Sequence, residues 1–365
     1  AQLSRVTFAA GLGFLLDRVE RLEWCTDVLL DQLALPAATA DHARRAAHLC
    51  KHDLVSQMVG EFPELQGVMG GKYLLAEGEP REVALAVLEH YLPRGAGDAL
   101  PDSDAGAVVA LAERLELLLS IYAKGERPSG SSDPYALRRA GNGVLQILWA
   151  KGWTLDLQAW LSRATQHWAE LLPAFQVDAA ALAIELGELM RQRLQSLLEE
   201  AGVDADLVQA VAGDGVVLER VISDPADARQ RAQLLMGLRA SGELAAVQAV
   251  VTRAARLAEK GDLQGAVLSA EAVVTPDLFE KTSEAGMLAV IQQLEPIATS
   301  SATDRYVRLA QGLIAGTDAL AAFFDGDQSV MVMAEDPAIR TNRLNLLGVL
   351  RNQASVLADF SRISG

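Results

Sequence analysis

A histidine beside an aspartate, one helical turn after another histidine, is a donor set suited to a divalent metal. The run His48-Leu49-Cys50-Lys51-His52-Asp53 has this form. His48 and His52 are four apart and would share one helix face, the spacing of a two-His metal pair. With a further His upstream and an Asp far downstream, such a site holds a metal that activates water for phosphoester hydrolysis. Both completing positions are altered in this chain. The upstream stretch Leu15 to Glu23 contains no His, and the downstream acid is Glu113, in Ala112-Glu113-Arg114-Leu115. The expectation is a fold of that type without its chemistry, with no metal held at the degenerate positions His52, Asp53 and Glu113. A metal-dependent phosphohydrolase stands as the alternative.

Anion recognition is the second chemistry on offer. In Ser131-Ser132-Asp133-Pro134-Tyr135-Ala136-Leu137-Arg138-Arg139, Asp133 is a good N-cap and Pro134 fits a first helical position. Paired arginines at a helix start oppose the macrodipole, so Arg138 and Arg139 imply an outside partner. An internal carboxylate is favoured slightly over a phosphate. Near the C-terminus, Asp336-Pro337 repeats the cap-plus-proline start, and Ile339, Leu346, Leu350 and Leu357 form an apolar stripe. At helical pitch Arg340, Arg343, Arg351 and Arg362 fall within about 100° of one another on a neighbouring face. Such a face is either a solvated surface or a positive stripe suited to RNA phosphates and base edges. Between these motifs, Met58 to Gly70 reads as a helix continuing from His52-Asp53 and then turning through Pro63 and the glycines. No phosphate-binding glycine motif, GxSxG, HExxH or Cys–His–Asn context is present.

The elements that must position these residues read as helices. Val108, Leu111, Ala112, Leu115, Leu118, Leu119 and Tyr122 recur at three- and four-residue spacing, and Leu186 to Leu198 and Leu244 to Val251 behave alike. Gly215 to Val221 and Ser329 to Met333 are the only short strand candidates. The fold class is all-α. Breaks fall at Pro93–Gly106, Gly125–Pro134, Gly152–Leu157 and Asp224-Pro225. They suggest a first domain over 1–165, a helical linker region over 166–225 and a third segment over 226–365.

Acidic residues outnumber basic ones 48 to 32, a formal charge of −16 over 365 residues. A surface of that sign repels polyanions in general and excludes an indiscriminate nucleic-acid binder. Two cysteines, Cys25 and Cys50, form no CxxC pair, which argues for a reducing compartment. No apolar run reaches the length of a membrane span. Val6 to Leu16 runs on into Asp17-Arg18-Val19-Glu20-Arg21 and reads as part of a helix rather than a leader. The chain opens with Ala1, so a piece of a longer protein is expected.

Three phrases carry a resemblance. HLCKHDLVSQMVGEFPELQGVMGGKYLLAEGE, EHYLPRGAGDALP and SDPYALRRAGNGVLQIL, in that order and spacing, resemble the β subunit of bacterial heterotetrameric glycyl-tRNA synthetase. The final stretch VMVMAEDPAIRTNRLNLLGVLRNQASVLADFSRI is similar to that family's C-terminal anticodon-binding domain, of the DALR type shared with arginyl-tRNA synthetases. The resemblance covers roughly 1–160 and 320–365, and the chain looks like the C-terminal half of such a subunit. It implies an HD-like helical domain (1–165), a helical linker region (166–225) and a helical-bundle anticodon-binding domain (226–365).

The resemblance also implies a division of labour. Glycyl-adenylate formation, with its ATP and Mg2+, belongs to a separate or fused α subunit, and this chain carries no cofactor and is non-catalytic alone. Its implied partners are glycine tRNA and that α subunit, with no membrane, in the bacterial cytoplasm. Arg340, Asn342 and Arg343, with Arg351, are the implied anticodon contacts. Arg138 and Arg139 lie in the family's motif and are implied to touch tRNA or to fix the first domain. The chain departs from the family pattern at His52, usually Ala, and at Glu113 and Glu116, usually Asp.

Overall fold

The computed structural model describes residues 2–364. Among them there is no strand, only the isolated bridges Thr7–Phe14 and Ser129–Ser132, so the all-α expectation holds. Sixteen α-helices are present among the described residues. They are α1 (Leu15–Gln32), α2 (Ala37–Leu49), α3 (Gln57–Glu61), α4 (Val68–Ala76), α5 (Arg81–Glu89), α6 (Asp104–Ala123), α7 (Leu137–Lys151), α8 (Leu157–Leu171) and α9 (Ala179–Glu200). The series continues with α10 (Ala205–Ala212), α11 (Leu218–Ile222), α12 (Pro225–Ser241), α13 (Leu244–Ala258), α14 (Thr282–Ala298), α15 (Arg305–Ala322) and α16 (Pro337–Ser355). No single one of them is long and apolar enough to cross a membrane.

The chain divides into two compact units. The first is 1–197 with 218–226, and the second is 198–217 with 227–365. The region 166–225, expected as a helical linker, is helical and is shared out between the two units. Its residues Leu186, Leu189, Leu194, Leu207 and Val211 are buried in the cores of the units they join.

The first unit is built around α6. Apolar residues on every side of this helix leave it no solvent face, and from Ala105 to Ala123 all but Leu117 are buried. Helices α1, α2, α5, α7 and α8 pack against it. Two buried acids start helices here. Glu89 accepts backbone hydrogen bonds from Asp102 and Ser103 just before α6. Asp53 accepts from Gly67 N (2.7 Å) and Gly70 N (3.0 Å) at the start of α4. Negative charge at a helix N-terminus satisfies donors that have no intrahelical acceptor.

Several local expectations change. Helix α2 stops at Leu49, and His52–Val55 is a separate 3-10 turn, so no helix runs from His48 through His52-Asp53 into Met58. Asp53 ties this turn to α4 instead. Helix α7 starts at Leu137 rather than at Pro134. The residue before it, Ala136, takes a left-handed conformation (φ 57°), and Asp133 caps the helix from further upstream through Leu137 N and Arg138 N. The strand candidate at 215–221 contributes to α11. The starts at Pro225 and Asp336-Pro337 and the stop at Gly152 (φ 62°) are as expected.

In the second unit α13 packs on α15 and α16, and α14 packs on the same two helices. Leu244, Val251, Met287, Ile291, Leu313, Leu346 and Leu350 fill the space between them. Residues 259–281 hold no helix beyond a 3-10 turn at Pro276–Leu278.

Helix α4 reaches α5 through Gly71, where an added Cβ would stand 2.8 Å from the Ala84 carbonyl. Backbone cannot swing aside as a side chain can, so Gly71→Ala should destabilise by about 1–3 kcal/mol. Gly60→Ala, which meets nothing within 4 Å, serves as the control and should stay within about 0.5 kcal/mol of the parent. Urea unfolding of the two variants reads the difference.

Candidate functional site

The centre of the first unit is a buried ion network. From α1, Arg18 donates through Nε to Glu116 (2.8 Å) and through Nη2 to Glu113 (2.9 Å). One turn later Arg21 donates to the other oxygen of Glu116 (2.8 Å). Ser120 also donates to Glu116 (2.8 Å), and Trp168 Nε1 in turn donates to Ser120 (3.0 Å). Lys51 is fully buried and approaches Glu113 at 2.9 Å, with Tyr91 OH at 2.9 Å and His90 Nε2 at 3.1 Å. Three cations from α1 and the segment after α2 thus converge on two carboxylates of α6.

Proton affinities follow from this arrangement. Burial opposes charge on Glu113, but Arg18 and Lys51 outweigh it and hold the carboxyl far below its usual range. Burial likewise opposes the Lys51 and Arg18 cations, and Glu113 raises both above their ordinary values. At His90 the pull of Glu113 is outweighed. Burial and the neighbouring Lys51 push it down to about 3, so it is neutral. Its Nδ1–H donates to Val87 O, which leaves Nε2 to accept from Lys51. Burial lifts the Cys50 thiol to about 12, so it is an inert thiol at neutral pH.

These positions do not assemble a metal centre. His48 and His52 are not on one helix. His48 pairs with Glu23 (2.6 Å), while His52 Nδ1 donates to Leu49 O (2.7 Å). Asp53 is engaged at the start of α4. The ammonium of Lys51 sits on Glu113, and Arg18 from α1 takes the other oxygen of the same carboxylate. No group of three His, Cys, Asp or Glu suited to a metal occurs among the described residues. The donor set therefore does not fit a divalent ion, and no observation favours a phosphohydrolase.

Above the network lies an open cleft of about 510 Å3, bordered by Glu113 and Arg114 of α6, Tyr91, Arg94, Gln66, and Tyr135 and Arg139 before and within α7. Arg114 is buried and clamps the turn that holds Tyr91. Its guanidinium donates to the carbonyls of Ala110 (2.8 Å), His90 (3.3 Å), Tyr91 (3.1 Å) and Pro93 (2.8 Å). The expected internal carboxylate for Arg138 and Arg139 is absent. Neither side chain has an ion pair or hydrogen bond among the described residues, and Arg139 is exposed at the cleft.

The C-terminal arginines stand differently from the open stripe expected of them. Arg343 is 3% exposed and pairs with Glu284 and Glu280, both at 2.8 Å, while donating to Met331 O. Asn342 is buried too, and its amide exchanges two hydrogen bonds with the Thr275 backbone. Arg351 donates to Leu263 O and Asn352 to Gln264 O and Val267 O. Gln353 reaches Leu268 O and Ile291 O. This face of α16 therefore supplies the donors that the irregular stretch 259–281 lacks. Arg340, with one bond to Ala334 O, and Arg351 remain half-exposed.

Arg362 lies past the end of α16, exposed and paired with Asp359 (3.7 Å), and further exposed basic charge lies on α13. Arg253 and Arg256 on α13 and Lys260 just beyond it recur at i, i+3 and i+7, with Arg253 paired to Asp325. This row is not among the basic residues that the sequence motifs single out. Its spacing is visible beside the apolar residues that define the helix, with three basic residues and one acid over 253–260.

Removing Lys51 should expose what burial costs here. Lys51→Met leaves Glu113 buried with Arg18 alone and should destabilise by about 3–5 kcal/mol. Lys51→Met with Glu113→Gln should recover much of that loss, and additive effects in a double-mutant cycle would show the pair uncoupled. Acid has a related effect. The unfolded chain protonates His90 below its ordinary 6.5, whereas the folded chain resists until about 3. Stability should therefore fall as pH drops through that window. Glu113, with its lowered value, adds to the loss below its ordinary 4.5. In His90→Gln the slope between pH 6.5 and 5 should be shallower, as read by unfolding at a series of pH values.

A family model described as glycyl-tRNA synthetase beta subunit matches residues 1–213. Proteins named glycine–tRNA ligase beta subunit are similar over nearly the whole chain. The one from Acaryochloris marina is 47% identical over 368 residues, covering 99% of this chain and 51% of that protein. The one from Picosynechococcus sp. is 45% identical and covers the same shares. One from Anaeromyxobacter sp. is 38% identical, covering 99% of this chain and 49% of its own length. The chain spans about half the length of the curated relatives it matches. It belongs to the glycyl-tRNA synthetase beta subunit family.

Proposed function

We propose that this chain is the tRNA-binding portion of a glycyl-tRNA synthetase β subunit. In this reading it recognises glycine tRNA and supports ATP-dependent glycine–tRNA ligation, while adenylate chemistry, ATP and Mg2+ belong to an α subunit. Family membership with 47% identity over 99% of the chain is the observation that carries the reading. The first unit corresponds to a degenerate HD-type domain in which Lys51 and Arg18 hold both oxygens of the Glu113 carboxylate. The second corresponds to the anticodon-binding domain.

Geometry refines which residues would meet RNA. Arg343 and Asn342 act inside the protein and position α16. Arg340 and Arg351 keep an exposed edge, and the row Arg253, Arg256 and Lys260 offers charge to phosphates. An overall charge of −16 then disfavours unspecific RNA while a local basic row engages the right one.

Titration of the chain with glycine tRNA at two salt concentrations tests the proposal, with an anticodon-altered tRNA alongside. Affinity should fall steeply with salt. Arg256→Ala with Lys260→Ala should reduce the salt slope by about one or two, as expected for lost phosphate contacts. Arg340→Ala should weaken binding about tenfold and blunt discrimination against the altered anticodon. Binding indifferent to salt, to the anticodon and to these substitutions would overturn the assignment.

A further inference from the structure

The cleft over the buried network has the chemistry of a nucleotide site. Arg94, Arg114 and Arg139 border it, and the one acid there, Glu113, is already held by Arg18 and Lys51 from within. The cleft therefore presents net positive charge in a chain that is acidic overall. Of its guanidiniums, Arg114 spends its donors on four carbonyls, and Arg94 donates to Glu64 O and Gln66 O (3.0 Å each). Arg139 is exposed and has no partner among the described residues, so its donor fork is open to an anion. Beside it stand two half-buried rings, Tyr91 and Tyr135, and the amide of Gln66. Tyr91 already carries Lys51 over its ring at 4.1 Å, which leaves Tyr135 as the open platform. A volume of about 510 Å3 suits a ligand of nucleotide size.

We propose that this cleft binds a single unpaired nucleotide, with Arg139 paired to its phosphate and Tyr135 stacked against its base. The inference rests on the tRNA-binding reading only for the source of that nucleotide, an unstacked residue of bound RNA. Recognition of a splayed-out base by an aromatic face and an arginine is a general mode for single-stranded RNA. Fixing the floor explains why so much buried charge is spent there. Glu113, Lys51 and Arg114 hold Tyr91 and the 90–93 turn in place.

Calorimetric titration of the full chain with adenosine 5′-monophosphate tests this, with adenosine and inorganic phosphate as separate probes. The monophosphate should saturate one site, and each fragment should bind at least about tenfold more weakly. Arg139→Ala and Tyr135→Ala should each cost about tenfold in affinity with an unchanged thermal melt, and Arg139→Lys should recover part of the loss. Absence of saturable binding, indifference to both substitutions, or phosphate binding as tightly as the nucleotide would overturn the proposal. Displacement of the monophosphate by glycine tRNA supports RNA as the source, whereas simultaneous binding of both overturns that source. A chain that takes the monophosphate but no tRNA overturns the proposed function and leaves the cleft assigned.

Discussion

Glu113 and Glu116 are buried on a helix with almost no solvent face, and the rest of the first unit is arranged to make that tolerable. A carboxylate removed from water is costly unless charge and hydrogen bonds replace the lost solvation. Arg18 and Arg21 supply this from α1, Lys51 from the segment after α2, and Ser120 from α6 itself. The three cations come from elements that must lie against α6 for the network to close. His90 completes the set by staying neutral, since another cation beside Lys51 would lack a counter-charge. The network thereby fixes the turn carrying Tyr91 and the floor of the cleft.

The second unit answers a different demand with similar residues. Residues 259–281 have few backbone partners of their own, and α16 meets them with Asn342, Asn345, Arg351, Asn352 and Gln353. Buried carbonyls and amides require partners, and long polar side chains from a neighbouring helix provide them. At Gly348 the loop comes so near that a Cβ would stand 2.8 Å from Leu263. Arg343 adds an ion pair with Glu284, whose carboxyl also accepts from Glu280 N and Lys281 N before α14. Arginine and asparagine on this helix act first as internal donors.

The sequence made the helices legible because their apolar spacing is regular, and it made the family legible because three phrases match over long stretches. It also held the signal of the ion network. Arg18 and Arg21 are three apart, as are Glu113 and Glu116, the spacing of two facing helix edges. That complementarity is recognisable only once α1 is known to lie on α6. The His48–His52 spacing misled for a simple reason: i, i+4 implies a shared face only if the helix continues, and α2 stops between them. Arg343 and Asn342 turn out buried because periodicity gives the face but not what covers it. Here the cover is a loop with no periodicity of its own.

The first unit depends on Glu113 being held by the Lys51 ammonium and by Arg18, which leaves that carboxylate no room for a metal ion. Equilibrium dialysis of the chain against Mn2+, with bound metal measured at saturation, tests it most directly. The account predicts no stoichiometric, Glu113-dependent binding in the parent chain. One equivalent of Mn2+ bound in the parent and lost in Glu113→Gln would contradict it.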